Sequence, residues 1–172
     1  MYDRFDPLET MPYPRVDDTE EIDITLDECI SASLPISAEK AYELFCEVET
    51  VPSWVSVINS VSVLAKNATG RPERVAFLAQ LDRATIGYTL QYKYQEGELA
   101  ASWQTPDDAL TIVSGRVQFL PLGDRACLMQ YSLTLELPEG ALPTWDDPFF
   151  EGHAASAVIN DFRDYINRQY RQ

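Results

Sequence analysis

Alternating apolar and polar positions run through most of the chain between residues 24 and 137 and predict a sheet. Over residues 24–34 the apolar residues recur mostly at every second position, as in a half-buried strand: Ile24, Leu26, Ile30, Ala32 and Leu34. Six further strands are predicted over residues 59–66, 73–82, 85–95, 98–104, 110–120 and 125–137. Because short turns join these strands in succession, the order predicts an antiparallel meander.

Helical spacing replaces alternation in three places. Ser37 is a good N-cap, and the apolar residues that follow it keep one helix face: Ala38, Ala41, Tyr42, Phe45 and Val48. A second short helical turn is expected over residues 52–57, with Pro52 in its first turn. A long helix is predicted over residues 149–170, with one wide apolar stripe. The whole order indicates an α+β fold.

A twisted sheet with one apolar face must cover that face, and a single helix seldom fills the concave side completely. We therefore expect an internal cavity, and a cavity lined by apolar and aromatic groups binds apolar ligands. The candidate ligand-binding residues are Trp54, Phe77, Tyr88, Leu90, Tyr92, Trp103, Val117, Phe119, Met129, Tyr131, Ala155 and Ile159.

The strand over residues 85–95 carries three tyrosines on the face expected to be concave, namely Tyr88, Tyr92 and Tyr94. One interpretation is core packing, with the hydroxyl groups paired near the rim. The other is that the hydroxyl groups orient a polar group on an otherwise apolar ligand. Since a free tyrosine has a pKa near about 10, it is a weak acid at neutral pH unless its neighbours lower that value.

The charge balance restricts the class of partner. The chain has 28 acidic and 13 basic residues, a formal net charge of −15. Such acidity argues against binding to nucleic acid or to anionic membrane surfaces. Residues 1–28 hold ten acids and two arginines, a net of −8. We interpret residues 1–22 as an acidic N-terminal arm, either loosely attached or docked on a basic partner or on the protein's own sheet, and residues 23–172 as one ligand-binding domain.

Cysteine and histidine provide little for a metal site. Cys29, Cys46 and Cys127 are far apart and form no C-x-x-C pair, which argues against a disulfide framework or zinc and favours a reducing cytoplasm. His153 is the single histidine, so a multi-histidine site is excluded. No metal and no cofactor are expected. The first residues do not read as a signal peptide, and no run approaches the roughly 18 apolar residues of a membrane span.

Three residues are weak candidates for catalysis. Tyr92 would act through its hydroxyl group, and Arg83, if turned inward, would hold a carboxylate or enolate oxygen. His153 lies near the start of the long helix, where the helix dipole disfavours the imidazolium form, so a neutral imidazole would be a general base. The plainer interpretation makes Arg83 and His153 solvated surface residues.

Three segments carry a resemblance to a known superfamily: ISASLPISAEKAYELFCEVETVPSW, GRPERV and GRVQFLPLGDRACLMQYSLTLEL. Together with the order of elements, they resemble the SRPBCC superfamily, which includes START-domain, birch-pollen-allergen-like, coenzyme Q-binding and polyketide cyclase/dehydrase proteins. The resemblance covers roughly residues 24–172. It implies the helix-grip fold, a curved antiparallel sheet of about seven strands wrapped on a long C-terminal helix, with two short helices after the first strand. It also implies a hydrophobic pocket between sheet and final helix.

The leading functional hypothesis is binding or transport of a hydrophobic or aromatic small molecule, such as a lipid, quinone or polyketide. An alternative that rests mostly on the resemblance is a polyketide aromatase/cyclase-dehydrase, in which Tyr88, Tyr92, Trp103 and Arg83 would orient the chain. A third hypothesis is an interaction module that recruits a protein partner through the acidic arm.

Overall fold

Seven strands and two α-helices make up the part of the chain that the computed structural model describes, residues 24–80, 85–137 and 154–170. The strands are β1 (Ile24–Leu34), β2 (Ile58–Lys66), β3 (Pro72–Gln80), β4 (Thr85–Gln95), β5 (Ala100–Gln104), β6 (Ile112–Pro121) and β7 (Cys127–Leu137). The helices are α1 (Ala38–Cys46) and α2 (Ala154–Tyr170), with short 3₁₀ helices at Val48–Ser53 and Glu96–Glu98.

The strands form one antiparallel sheet in the order β1-β7-β6-β5-β4-β3-β2. Strands β2 to β7 are consecutive neighbours, which confirms the predicted meander, and β1 pairs with β7 along its whole length, from Ile24↔Leu137 to Leu34↔Cys127. The first strand thus joins the sheet beside the last, so the connection from β1 to β2, which carries α1 and the 3₁₀ segment, runs from one edge of the sheet to the other. The predicted α+β architecture is confirmed.

The short helices follow the sequence prediction in part. Ser37 caps α1, and its hydroxyl oxygen accepts a hydrogen bond from the Lys40 amide at 3.2 Å. The predicted bounds of the second short helix are wrong. The helix is the 3₁₀ segment Val48–Ser53, which begins four residues earlier than predicted. Pro52 lies inside that segment rather than in its first turn. The predicted start of the long helix at residue 149 lies outside the described residues.

Helix α2 covers only one half of the concave face, because it packs mainly on β1 and β7. Its buried side chains include Phe162 and Ile166, neither of which is exposed to solvent. The Glu28 carboxylate accepts a 2.7 Å hydrogen bond from the backbone amide of Ala155. Because the first amides of a helix have no partner within the helix, this bond fixes the start of α2 on β1.

Arg71 joins α1 to the turns at one end of the sheet. Its guanidinium donates two hydrogen bonds to Glu43 of α1, at 2.7 and 3.1 Å, and two to Glu96, at 3.0 and 3.1 Å. The guanidinium also lies 5.1 Å from the centroid of the Tyr42 ring. These bonds lower the pKa of Glu96 below its ordinary value of 4.5.

Gly115 of β6 lies where the sheet leaves no room for a side chain. A Cβ atom there would be 2.5 Å from the Ser132 carbonyl oxygen and 2.6 Å from the Trp103 indole. A glycine within a strand often marks a close approach by another group, and here that group is the ring of Trp103, its cross-strand partner. The missing side chain allows the indole to lie over the strand.

We predict that Gly115→Ala lowers the free energy of unfolding by about 1–3 kcal/mol, because the added methyl group overpacks the site. Urea unfolding followed by circular dichroism measures the change. Gly97→Ala is the matched control, since a Cβ atom there has nothing within 4 Å. Equal stability of the two variants would contradict the steric explanation.

The lowered pKa of Glu96 predicts a pH-dependent contribution to stability. A carboxylate whose pKa is lower in the folded state stabilises the fold above its unfolded pKa, and this contribution is lost as the pH falls. Glu96→Gln is therefore expected to reduce the unfolding free energy at pH 7 more than at about pH 3. Because the pair is half exposed, the effect stays below about 1 kcal/mol. Glu73→Gln serves as the control, because Glu73 is exposed and has no ion pair among the described residues.

Candidate ligand-binding cavity

A cavity of about 120 Å³ lies between the concave face of the sheet and the chain segment that follows α1. Its wall combines side chains from strands β2 to β7 with Phe45 at the end of α1 and residues 51–58. The lining residues are Phe45, Val51, Trp54, Val55, Val57, Ile58, Phe77, Ala79, Ile86, Tyr88, Leu90, Tyr92, Trp103, Thr111, Val113, Tyr131, Leu133, Leu135 and Val158.

The position of the cavity follows from the half coverage by α2. That helix contributes one lining residue in the described part of the chain, Val158. Strands β3 and β4 lie far from β1 and β7 in the sheet order, and the 3₁₀ segment packs over this end through β2. The pocket expected between sheet and final helix therefore lies beside the helix, beneath the 3₁₀ segment and the residues that follow it.

Aromatic rings build most of one wall. Trp103 lies between Tyr92 and Tyr131, with ring centroids 5.9 and 5.6 Å apart. Phe77 and Tyr88 face each other on neighbouring strands at 5.5 Å with nearly parallel planes. Such ring pairs add stability beyond the area they bury, so this wall is well ordered before any ligand binds.

Trp54 forms the opposite wall and ties it to α2. Its ring centroid is 4.9 Å from that of Phe162 and 6.1 Å from that of Tyr165. The indole nitrogen donates a 3.2 Å hydrogen bond to the Thr50 hydroxyl group. With its polar atom paired inside the 3₁₀ segment, Trp54 presents apolar surface to the cavity.

Four hydroxyl groups supply the polarity of the lining: those of Tyr88, Tyr92, Tyr131 and Thr111. None of them has a hydrogen-bond partner among the described residues. Burial raises the pKa of each of the three tyrosines well above the ordinary value of 10.0. Their hydroxyl groups therefore stay protonated at every physiological pH.

No charged side chain lines the cavity in the described part of the chain. The described lining residues have only apolar, aromatic and hydroxyl side chains. A buried ion without a partner costs several kcal/mol even after the surroundings relax. The cavity is therefore suited to uncharged molecules.

Seven of the twelve predicted ligand-binding residues line the cavity: Trp54, Phe77, Tyr88, Leu90, Tyr92, Trp103 and Tyr131. Their role as ligand contacts stays a prediction. Five others lie elsewhere in the hydrophobic core: Val117, Phe119, Met129, Ala155 and Ile159. All five are at most 2% exposed, because α1 and α2 pack directly on that part of the sheet and leave no space.

Tyr94 also departs from the expectation that it faces the cavity. Its hydroxyl group donates a hydrogen bond to the Pro72 carbonyl oxygen, and its ring faces the Arg71 guanidinium at 5.9 Å. The third tyrosine of the cavity is instead Tyr131, from β7. Of the candidates for catalysis, Tyr92 lies in the wall, whereas Arg83 and His153 lie outside the described residues. Arg74, an arginine of β3, is exposed.

Several lining residues were not predicted. Leu133 and Leu135 are on the inward face that the alternation of β7 predicts, but they were not among the candidate ligand-binding residues. Val55, Val57 and Ile58 belong to a stretch with no single period, and nothing in the local sequence places them in the wall. Thr111 is 7% exposed and precedes β6, where a polar residue gives no signal of burial.

The cysteines are free thiols in the described residues. Burial raises the pKa of Cys46 to about 12 and that of Cys127 to about 11, so both stay protonated and unreactive at neutral pH. Within the described ranges, no three His, Cys, Asp or Glu side chains cluster in a way that would hold a metal ion. None of the described helices is long and apolar enough to cross a membrane.

A second, open groove of about 340 Å³ lies on the convex face of the sheet. Its lining is polar and comes from neighbouring strands: Gln91, Lys93, Ser102, Trp103, Gln104, Ser114, Gly115, Arg116, Ser132 and Thr134. Arg116 is exposed on this face of β6. Because the groove is solvated and has almost no apolar side chains, it does not suit an apolar ligand.

Asp161 connects α2 to the wall of the cavity. Its carboxylate oxygen accepts a 3.3 Å hydrogen bond from the backbone amide of Ser56. Burial raises the pKa of Asp161, and the bond from Ser56 partly opposes that shift. Since Val55 and Val57 on either side of Ser56 line the cavity, this bond holds their segment against the helix.

Comparison with known proteins identifies the fold. The sequence matches no protein-family model and no curated protein. A START superfamily protein from Mycobacterium smegmatis is 18% identical and superposes with a TM-score of 0.70, covering 83% of this chain and 98% of its own. An aromatase/cyclase from Streptomyces is 12% identical with a TM-score of 0.69, covering 86% of this chain and 97% of its own.

A norcoclaurine synthase from Thalictrum flavum has the same architecture, at 9% identity and a TM-score of 0.59, covering 86% of this chain and 98% of its own. These likenesses confirm the predicted helix-grip fold of the SRPBCC type. At identities from 9 to 18% they show the fold alone. The ligand must be argued from the cavity.

We predict that Asp161→Ala speeds hydrogen exchange at the Ser56 amide, because the bond that protects this amide is lost. Amide exchange followed by nuclear magnetic resonance measures the rate, with an expected rise of about 5-fold or more for one lost bond. Asp164→Ala, on an exposed position of the same helix, is the matched control. An unchanged rate in Asp161→Ala would show that the carboxylate does not hold this segment.

Proposed function

We propose that the protein binds an apolar or aromatic small molecule in the cavity. The supporting observation is an internal space lined by aromatic and aliphatic side chains, with no charged group among the described lining residues. Removing apolar ligand surface from water is favourable by about 25 cal/mol per Å². Because the apolar wall is already formed in the free protein, no free energy is spent on folding it when the ligand binds.

The volume limits what fits without movement of the wall. Engineered apolar cavities of about 150 Å³ hold one benzene molecule, so 120 Å³ accommodates a single ring or a short aliphatic chain. A whole lipid, a prenylated quinone or a polyketide is larger, and its binding requires displacement of the 3₁₀ segment or of the residues that follow it. We propose that the head of such a molecule, or a smaller ligand, occupies the cavity.

The tyrosines support binding more than catalysis. A general acid or base works best when its pKa lies near the operating pH, whereas burial moves the pKa of Tyr92 well above its ordinary value. No histidine, lysine or carboxylate lines the cavity in the described residues to take up a proton. Cyclase chemistry and recruitment of a partner by residues 1–22 stay predictions from the sequence.

Filling the cavity tests the proposal. Ala79 lines the cavity, and Ala79→Leu places three more carbon atoms in it. We expect wild-type protein to bind ethylbenzene, and Ala79→Leu to lose at least about 10-fold in affinity because the space is occupied. Isothermal titration calorimetry measures both affinities.

Ala76→Leu is the matched control, because Ala76 lies three residues earlier in β3 on the opposite face of the sheet. It adds the same atoms outside the cavity and is expected to bind ethylbenzene as the wild type does. Absence of binding to the wild type, or equal binding to Ala79→Leu, would refute the proposed function.

A further inference from the structure

Unpaired hydroxyl groups in an apolar wall are the feature of the cavity that the proposed function does not explain. Tyr131 is 5% exposed and Thr111 is 7% exposed, and neither hydroxyl group has a hydrogen-bond partner among the described residues. Their oxygen atoms are not among the fully buried, unpaired side-chain atoms of the described residues, so they keep some accessible surface. A hydroxyl group with accessible surface and no partner in the protein is free to bond to a ligand or to water. Packing alone would have been served by phenylalanine and valine.

The three tyrosines line the same cavity although they come from separate strands of the sheet. Tyr88 and Tyr92 lie on one face of β4, and Tyr131 lies on β7. The Trp103 ring lies between Tyr92 and Tyr131, with ring centroids 5.9 and 5.6 Å apart. A small molecule in this cavity is therefore close to more than one of the three tyrosines.

The chemistry of these groups defines what they bind. A protonated phenol donates one hydrogen bond, and its oxygen is a weak acceptor because the lone pair is delocalised into the ring. The hydroxyl groups of the wall can therefore donate hydrogen bonds to acceptor atoms of a ligand. A carboxylate is an acceptor, but it would enter without a cation, because no lysine, arginine or histidine lines the described wall.

We propose, on the basis of the proposed function, that the cavity selects an uncharged aromatic ring carrying a carbonyl oxygen, which accepts hydrogen bonds from Tyr131 and from Tyr88 or Tyr92. The ring lies against the aromatic wall formed around Trp103. The Thr111 hydroxyl group donates to the same or a second acceptor on the ligand.

Four ligands of similar size test this selection: ethylbenzene, acetophenone, benzoate and benzylammonium. Acetophenone differs from ethylbenzene by a carbonyl oxygen, benzoate adds a negative charge, and the ammonium compound adds a positive charge that aromatic rings can attract. Calorimetric titration of the full chain at pH 7 gives each affinity. We expect acetophenone to bind at least about 10-fold more tightly than benzoate and benzylammonium, because a lone buried charge is costly.

Tyrosine-to-phenylalanine variants identify the donors, since they remove an oxygen and keep the ring. Tyr131→Phe, and one of Tyr88→Phe and Tyr92→Phe, are expected to weaken acetophenone binding by roughly 3- to 10-fold, the effect of one hydrogen bond. Ethylbenzene affinity stays equal or rises. Tyr94→Phe is the control, because the Tyr94 hydroxyl group is already paired with the Pro72 carbonyl oxygen.

The outcomes separate the two proposals. If ethylbenzene does not bind to the wild type, the proposed function itself fails. If ethylbenzene binds but the phenylalanine variants affect both neutral ligands equally, the cavity is a binding site without selection for an acceptor, and this inference is overturned. Tighter binding of benzoate or of the ammonium compound would also overturn it.

Discussion

Packing around one side chain, Phe45, determines how the sheet is covered. Its ring centroid lies 5.6–6.3 Å from those of five other aromatic residues: Trp54, Trp103, Phe119, Tyr131 and Phe162. These residues belong to the segment after the 3₁₀ helix, to three strands and to α2. Phe45 therefore holds both helices and the sheet in one cluster, and its free edge forms part of the cavity wall. Loss of this ring would loosen the packing of α2 and of the segment after the 3₁₀ helix on strands β5 to β7.

The cavity is a consequence of the way this cluster is placed. Helix α2 is fixed on β1 by the bond from Ala155 to Glu28, and α1 is fixed at one end of the sheet by Arg71. Neither described helix packs mainly on β3 or β4, and the 3₁₀ segment packs on the neighbouring β2. That segment and the residues after it form the wall opposite β3 and β4. Space remains because a short segment without a full apolar stripe cannot fill the width that a helix would occupy. Close packing elsewhere in the core prevents the sheet from collapsing into it.

The sequence predicts those features that depend on neighbours along the chain. Alternation identified all seven strands, and the N-cap at Ser37 identified α1, because both signals are local. The sequence could not show which half of the concave face α2 covers, since that depends on contacts between distant segments. For this reason Phe119 and Met129 point inward as predicted and yet lie outside the cavity, while Thr111 lines it without any local signal.

Burial explains both the weakness of the tyrosines as acids and their value as donors. Burial raises the pKa of Tyr131, so its hydroxyl group stays protonated in an apolar environment. A proton donor for catalysis would need a neighbouring charge to bring its pKa toward neutrality, and the described wall provides none. A donor for recognition needs only to stay neutral and to meet an acceptor in an apolar environment, where a hydrogen bond is stronger than in water. The wall keeps the hydroxyl groups neutral in an apolar environment and provides no charge that would lower their pKa. Recognition of an uncharged acceptor therefore accounts for these residues better than proton transfer does.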